Sequence, residues 1–322
     1  MKISLLDVMS ETTPKISILS GKIQLFQGSI DDFSCYFESN ISRSEALLVP
    51  HDAHEWNREY REYVSRYAKQ KPIIFFNTSD RPRREKIPNA FSLQSSHMLN
   101  HLTKTIIIPY NVQSLSFLTM RSKSAKPSLS FVGYIPNFSL GRIARSFKDN
   151  PLKPWEAESS LVRKRAVKNM LLSFPDARVL PRQHYGGAKS LITDPKIFRA
   201  EYVSSILESD LVLCPRGDAN SSQRYYEVLS AGRIPVVPKT GVSLPEIVHN
   251  SRNLLHLNID VFARDIKEVV DEFWSAIGDD QYQNLQVRLR NYFRENLSYN
   301  SFLHKFFKSD INDLNVNFCY NH

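Results

Sequence analysis

The sequence predicts an α/β protein with room for two domains. Short apolar runs alternate with helical stretches along most of the chain, which is the pattern of βαβ architecture. One stretch, Ser209–Pro238, spells out strand, polar turn, helix and strand in a row. At 322 residues the chain is long enough for two separate cores.

In the first half, Ile3–Leu6 and Ile16–Leu19 are short apolar-rich runs that read as strands. Glu45–Pro50 is a clearer strand, with His51, Asp52 and His54 just past its end. Trp56–Gln70 reads as a helix, because Trp56, Tyr60, Tyr63 and Tyr67 recur at spacings of three and four. Such an aromatic stripe packs into a core far more often than it binds a ligand. Pro72–Asn77 is the next strand, closed by the polar turn Thr78–Ser79–Asp80, and Ala90–Ser95 and Thr105–Pro109 follow it. Gln113–Ser128 is polar and carries the interdomain crossing, so the first domain is taken as 1–120 and the second as 121–290.

The second half opens with strand Leu129–Val132 and the turn Gly133–Tyr134, followed by Arg142 and Arg145. A helix over Ala157–Leu172 leads to a strand at Ala177–Leu180, and Phe198–Leu207 is the helix before the central unit. The glycines of His184–Gly187 mark a loop and not a dinucleotide fingerprint. Asn253–Leu257 reads as a last strand, with helices over Asp260–Ile277 and Asp280–Phe307.

Composition narrows the function classes. An apolar fraction of 42% describes an ordinary globule, as does the mean hydropathy of −0.35. The three cysteines, Cys35, Cys214 and Cys319, are too few and unpatterned for a disulfide scaffold or a zinc site. A formal charge of +9 favours acidic partners, among them nucleic acid, anionic sugar donors and phospholipid surfaces. The densest basic clusters, Arg81–Arg84 and Arg163–Arg165, read equally as solvated faces. No twenty-residue apolar run and no signal-peptide layout is present, which predicts a cytoplasmic protein with peripheral membrane contact as an option.

The chemistry concentrates in the central unit. Leu211–Cys214 is a short, buried-type strand stopped by Pro215 and Gly217. Asp218–Ser222 is rich in helix-capping residues, Gln223–Ala231 is helical, and Gly232 is its C-terminal stop before strand Ile234–Val237. In open α/β sheets, ligands bind beyond the carboxyl ends of strands, and a helix N-terminus there offers N–H groups to phosphate. Arg216 and Arg224 both sit at that turn. Glu227 follows Arg224 by three residues, on the same helical face, where a carboxylate can accept bonds from a ribose diol. The alternative is a surface Arg224–Glu227 ion pair, with Arg216 closing a strand.

Leu213–Cys214–Pro215–Arg216–Gly217–Asp218, with Ser222, Arg224, Glu227, Gly232 and Ile234–Pro235–Val236, resembles the signature of the exostosin family of glycosyltransferases. The likeness is specific over about thirty residues and looser from Glu45 to Leu257. Val228 stands where many relatives carry Ala. Animal and plant members are commonly held by an N-terminal membrane helix not found in this sequence, so the expectation is either a bacterial or viral-type relative, which the starting Met1 favours, or a trimmed chain. The resemblance implies a GT-B fold of two Rossmann-like domains facing each other across a cleft. It implies a last segment, 291–322, that packs back on the first domain. It further implies inversion, a nucleoside-diphosphate sugar donor (UDP by default) and a saccharide or lipid-linked glycan acceptor. It also implies that Arg216, Arg224 and Glu227 belong to the donor site. From their places in the turn, Gly217, Ser221 and Ser222 join them, and Arg142, after the first strand of the second half, is a further candidate that reads equally as surface charge. The base would come from His51, Asp52 or Asp80 at strand ends of the first half, with His54 and His184 less favoured.

No metal or other cofactor is expected. Arginines and a helix dipole can carry the leaving charge, and Asp31–Asp32 and Asp279–Asp280 lack the DxD spacing and strand-end setting of a metal-holding pair. A fucosyltransferase-type GT-B enzyme using a GDP-sugar is the enzymatic alternative, and a degenerate transferase kept as a scaffold is another. A basic nucleic-acid-binding protein is disfavoured, because the aromatics sit in apolar periodic runs instead of among basic residues.

Overall fold

The structure is a computed structural model. It describes residues 2–5, 36–37, 46–50, 73–77, 90–95, 104–110, 114–115, 120–135, 140–147, 158–182, 195–217, 222–240, 244–245, 254–263, 265–299 and 301–302, and the single positions 112, 152, 155, 248, 251 and 305. The chain divides into two compact units, one holding the N-terminal strands and the other spanning Tyr110–Ser298.

In the first unit the strands are β1 (Lys2–Leu5), β2 (Tyr36–Phe37), β3 (Ala46–Pro50), β4 (Ile73–Asn77), β5 (Ala90–Gln94) and β6 (Lys104–Ile107). They form one sheet in the order β2-β1-β3-β4-β5-β6, and every pairing is parallel. The β-branched and aromatic runs explain the central strands, in which Val49 pairs with Phe75 and Phe75 with Ser92. Strand Ile16–Leu19, helix Trp56–Gln70 and the residues His51, Asp52, His54 and Asp80 lie outside the described residues.

The second unit holds β7 (Leu129–Tyr134), β8 (Arg178–Arg182), β9 (Leu211–Leu213), β10 (Ile234–Pro238) and β11 (Leu257–Ile259). Its helices are α1 (Leu140–Ser146), α2 (Ser159–Ser173), α3 (Pro195–Leu207), α4 (Gln223–Ser230), α5 (Ile266–Ala276) and α6 (Asp279–Tyr292), which runs into a π-helical turn at Phe293–Leu297. The sheet is again all parallel, in the order β11-β10-β9-β7-β8. α2 packs with α5 and α4 with α6, as a sheet covered on both faces requires. Leu211, Val212, Leu213, Ile234, Val236 and Val237 are all buried, so the near-continuous apolar runs of β9 and β10 are the core itself. Both sheets are thus parallel α/β layers.

Some sequence expectations shift. The helix expected from Asp260 starts at Ile266, because Asp260 Oδ1 accepts from the Phe262 and Ala263 amides and builds a turn instead. The strand expected at Asn253–Leu257 lies at Leu257–Ile259, where it pairs with Val236–Pro238. The helix expected through Phe307 leaves α-geometry after Tyr292.

A buried polar network closes the end of this sheet where β7, β9 and β10 begin. Asp210 is fully buried; its Oδ1 accepts from Arg121 Nε and the Tyr282 hydroxyl, both at 2.7 Å, and its Oδ2 from the Ser128 amide (2.8 Å) and hydroxyl (2.7 Å). Burial pushes this carboxyl up, but these hydrogen bonds outweigh it and hold the pKa below the usual aspartate value. Beside it, buried Arg233 donates to the Leu207 carbonyl and to Gln286 Oε1. Burial draws its pKa down to about 10. Gln286 also pairs with both the amide and the carbonyl of Arg121.

Candidate functional site

In the second sheet, the chain builds outward from β7 to β8, then returns to the other side of β7 for β9, β10 and β11. Strand order therefore reverses between β7 and β9. Their carboxyl ends form a topological switch point, where open α/β sheets bind ligands. Gly133–Tyr134 ends β7, and Cys214–Pro215–Arg216–Gly217 leaves β9. The Cys214 amide still pairs with the Val236 carbonyl (2.8 Å), so the chain departs from the sheet at Pro215, which has no N–H to give.

Helix α4 rises from that departure. Ser222 is its N-cap in extended conformation (φ −142°, ψ 125°), and its hydroxyl makes no capping bond. At the other end, Gly232 takes φ +66°; its amide bonds the Leu229 carbonyl (2.9 Å) and the Arg233 amide bonds that of Val228 (3.0 Å). This is a Schellman-type closure, with glycine at the left-handed position. A Cβ there would lie 2.7 Å from the Gln286 carbonyl oxygen of α6, so the turn and helix are also in close approach. Tyr225 and Tyr226 bury their rings edge to face, 5.3 Å apart, and anchor the helix beneath its first turn.

Five of the expected donor-site residues, Arg216, Gly217, Ser222, Arg224 and Glu227, lie in this region. Arg216 is buried, and its Nε reaches the Gly217 carbonyl at 3.4 Å. Ser222 and Arg224 stand at the start of α4. The Arg224 guanidinium donates to the Val132 carbonyl of β7 and lies 4.6 Å over the Phe131 ring and 5.7 Å from the Tyr202 ring. Its Nε is buried with no hydrogen-bond partner among the described residues. A Cβ at Gly133 would come within 2.5 Å of Arg224 Nη2. The glycine at the end of β7 thus leaves the room that this guanidinium fills.

Glu227 is not part of a surface ion pair with Arg224. Its side chain is only 9% exposed; Oε1 accepts from Arg199 Nη1 (2.7 Å) and Oε2 from the Tyr202 hydroxyl (2.5 Å), both donors on α3. Tyr202 is a neutral phenol there, because burial raises its pKa well above the usual value and the neighbouring Arg224 only partly opposes that. Cys214 lies within the electrostatic reach of Arg224 and Glu227, yet burial pushes its thiol up to about 12. It is an inert apolar filler and no nucleophile.

Arg142 lies on α1. Ser221, His51, Asp52, Asp80 and His184 are outside the described residues. Among the described residues, no three His, Cys, Asp or Glu side chains are grouped to hold a metal ion. No helix among them is long and apolar enough to cross a membrane.

Two contributors are invisible in the sequence. Arg163 reads there as one of a basic face with Lys164 and Arg165. In the fold it donates from α2 to the Tyr134 carbonyl (2.6 Å) and to the Arg216 carbonyl (3.0 Å), tying together the two turns that flank the switch point. The Arg199–Tyr202 pair escapes notice because α3 reads as a plain connecting helix. Arg199 and Glu227 are 28 residues apart, beyond any local spacing rule.

Residues 188–255, which contain α3, β9, α4 and β10, match the model of the RXYLT1 C-terminal domain. No curated protein matches the sequence. Among solved structures, the chain is similar to Anabaena Alr3699/HepE, solved with UDP and glucose, at 9% identity and a TM-score of 0.42 over 96% of this chain and 100% of that one. It is similar to a glycosyltransferase from Rickettsia africae ESF-5 at 11% identity and a TM-score of 0.38, covering 93% of this chain and 84% of the other. It is also similar to S. aureus TarM, solved as a point mutant with Fondaparinux, alpha-GlcNAc-glycerol and UDP, at 10% identity and a TM-score of 0.38. That match covers 84% of this chain, which spans 52% of the length of TarM.

Proposed function

We propose that the chain is an inverting glycosyltransferase, moving a sugar from a nucleoside-diphosphate donor to a saccharide or lipid-linked glycan acceptor, and that the β9–α4 turn is its donor site. The observation that carries this reading is the convergence of Arg216, Ser222 and Arg224 with a helix N-terminus at the switch point of a parallel sheet. The buried Nε of Arg224 supports it: an N–H without an acceptor is costly in isolation, and a phosphate oxygen supplies one. The match of the RXYLT1 C-terminal domain to the same stretch supports it further.

In the proposed reaction the acceptor hydroxyl oxygen attacks the anomeric carbon as the bond from that carbon to the diphosphate oxygen breaks. The nucleoside diphosphate leaves with the bonding pair, its growing charge met by Arg216, Arg224 and the amides at the start of α4. Arg142 and Ser221 belong to the same group in this reading, and Glu227 accepts from the ribose. The acceptor proton goes to a base from the N-terminal half, drawn from His51, Asp52 and Asp80. Arginines and the helix dipole carry the charge, so the reading includes no metal.

Thermal-shift titration of the full chain with UDP, GDP, CMP and short oligonucleotides, each with and without EDTA, tests the reading. Stabilisation by one nucleoside diphosphate, unchanged by EDTA and lost in Arg216→Ala and Arg224→Ala, is the expected result. Stabilisation by oligonucleotides alone would refute it.

A further inference from the structure

The donor site as read from the sequence is a single strand–turn–helix unit. The structure adds a second helix to it. Both carboxylate oxygens of Glu227, on α4, are held from α3: Oε1 by Arg199 Nη1 at 2.7 Å and Oε2 by the Tyr202 hydroxyl at 2.5 Å. An ionised carboxylate oxygen has two acceptor directions, so one donor on each leaves one further direction on each. A vicinal diol offers two O–H donors and needs two acceptors side by side. The side chain is 9% exposed, so the carboxylate is nearly enclosed but not sealed.

Tyr202 also occupies a particular place between two cations. Its ring lies 5.2 Å from the Arg199 guanidinium and 5.7 Å from that of Arg224. The residue that fixes one oxygen of Glu227 thus touches both the arginine that fixes the other oxygen and the arginine expected to hold phosphate. Alternative roles fit less well. A general-base role for Glu227 conflicts with two donors already on its oxygens. A surface ion pair conflicts with its burial.

We propose that Arg199 and Tyr202 are positioning residues of the donor site, which fix the Glu227 carboxylate in the one orientation that reads a ribose 2′,3′-diol. The inference rests on the donor-site reading above. It assigns to α3 the discrimination between ribonucleotide and deoxyribonucleotide donors. Glu227 makes the contact; Arg199 and Tyr202 act through it.

Isothermal titration of the full chain with ribo/2′-deoxyribo pairs, UDP with dUDP and GDP with dGDP, tests it without any acceptor or turnover. The wild type binds the ribo form at least about tenfold tighter, as expected for losing one hydrogen bond to a charged acceptor. Tyr202→Phe keeps the ring between the two arginines and removes only the hydroxyl. Arg199→Gln removes the cation, and Arg199→Lys returns part of it. The ribo/deoxy ratio should fall toward one in Tyr202→Phe and Arg199→Gln and recover in part in Arg199→Lys, with the deoxy form, which keeps only the 3′-hydroxyl contact to Glu227, weakened less than the ribo form. A purely structural role would weaken both forms together and leave the ratio unchanged, which overturns the inference while sparing the donor site. A wild type that binds a nucleoside diphosphate without discrimination removes the ribose role of Glu227, and the inference with it. Failure of every pair to bind refutes the donor-site reading itself.

Discussion

Gly133→Ala separates the architectural and ligand-binding roles of Arg224. An added Cβ would lie 2.5 Å from Arg224 Nη2 and 3.2 Å from Phe131 Cζ. Ordinary contact begins near 3.4 Å, so the guanidinium tip must retreat by about 1 Å, which stretches and weakens its hydrogen bond to the Val132 carbonyl. The tip is the end of a flexible side chain and Gly133 has no left-handed backbone, so the fold survives the change. Losing one hydrogen bond from a charged donor costs about 1.5–3 kcal/mol when buried. Arg224 is half-buried and the bond is weakened, not lost, so about 1–2 kcal/mol is the better figure, or a fall of roughly 2–8 °C in Tm for a unit of this size. If Arg224 holds the diphosphate, the same retreat weakens nucleoside-diphosphate binding by about tenfold or more. Differential scanning fluorimetry gives the first number and isothermal titration the second. A variant that loses the expected stability yet binds the nucleotide as tightly as wild type would show that Arg224 only braces β7, and would sink its donor role.

Asp210→Ala leaves Arg121, the Ser128 amide and the Tyr282 hydroxyl without their acceptor, at a cost of about 3–5 kcal/mol in urea denaturation. Because folding holds the Asp210 pKa below the ordinary aspartate value, its contribution is full above that ordinary value and is lost as pH falls through the folded one. Wild-type stability should therefore drop between about pH 5 and pH 3 more steeply than that of the variant, and equal slopes would contradict the network. Arg163→Ala should cost about 1.5–3 kcal/mol and raise the donor Kd several-fold by freeing the two turns it ties, with Arg163→Lys in between. An unchanged Kd would reduce Arg163 to a structural residue.

What the sequence reveals and what it hides divide by distance along the chain. The central unit is legible because its signals are local. Pro215 ends β9 where the ladder stops, and Gly232 closes α4 within four residues of the carbonyls it serves. Arg224 and Glu227 share a helical face as their spacing requires, but spacing cannot say that Glu227 turns to α3 and Arg224 to β7. Arg163 reads as one cation in a cluster of three, since only the fold reveals which of them meets two strand-end carbonyls. Asp260 belongs to a helix by pattern, while its short side chain finds nearer amides and makes a turn. Polar residues whose partners lie on distant elements are the illegible ones.

Gln286 places a constraint on time as well as on space. It joins Arg121 across 165 residues and Arg233 across 53, and Tyr282 on the same helix reaches Asp210 across 72. Until α6 has been synthesised and docked, Arg121, Arg233 and Asp210 lack these partners, and the strands they precede are held only by pairing and apolar contact. At roughly 5–20 residues per second, a ribosome needs about 3–10 seconds to pass from Arg233, the last of the three to emerge, to Gln286. For that interval the nascent half of the chain that bears the proposed donor site is a loosely closed sheet with buried charges awaiting one helix. Release from the ribosome before Gln286 emerges should leave it a substrate for proteases or chaperones.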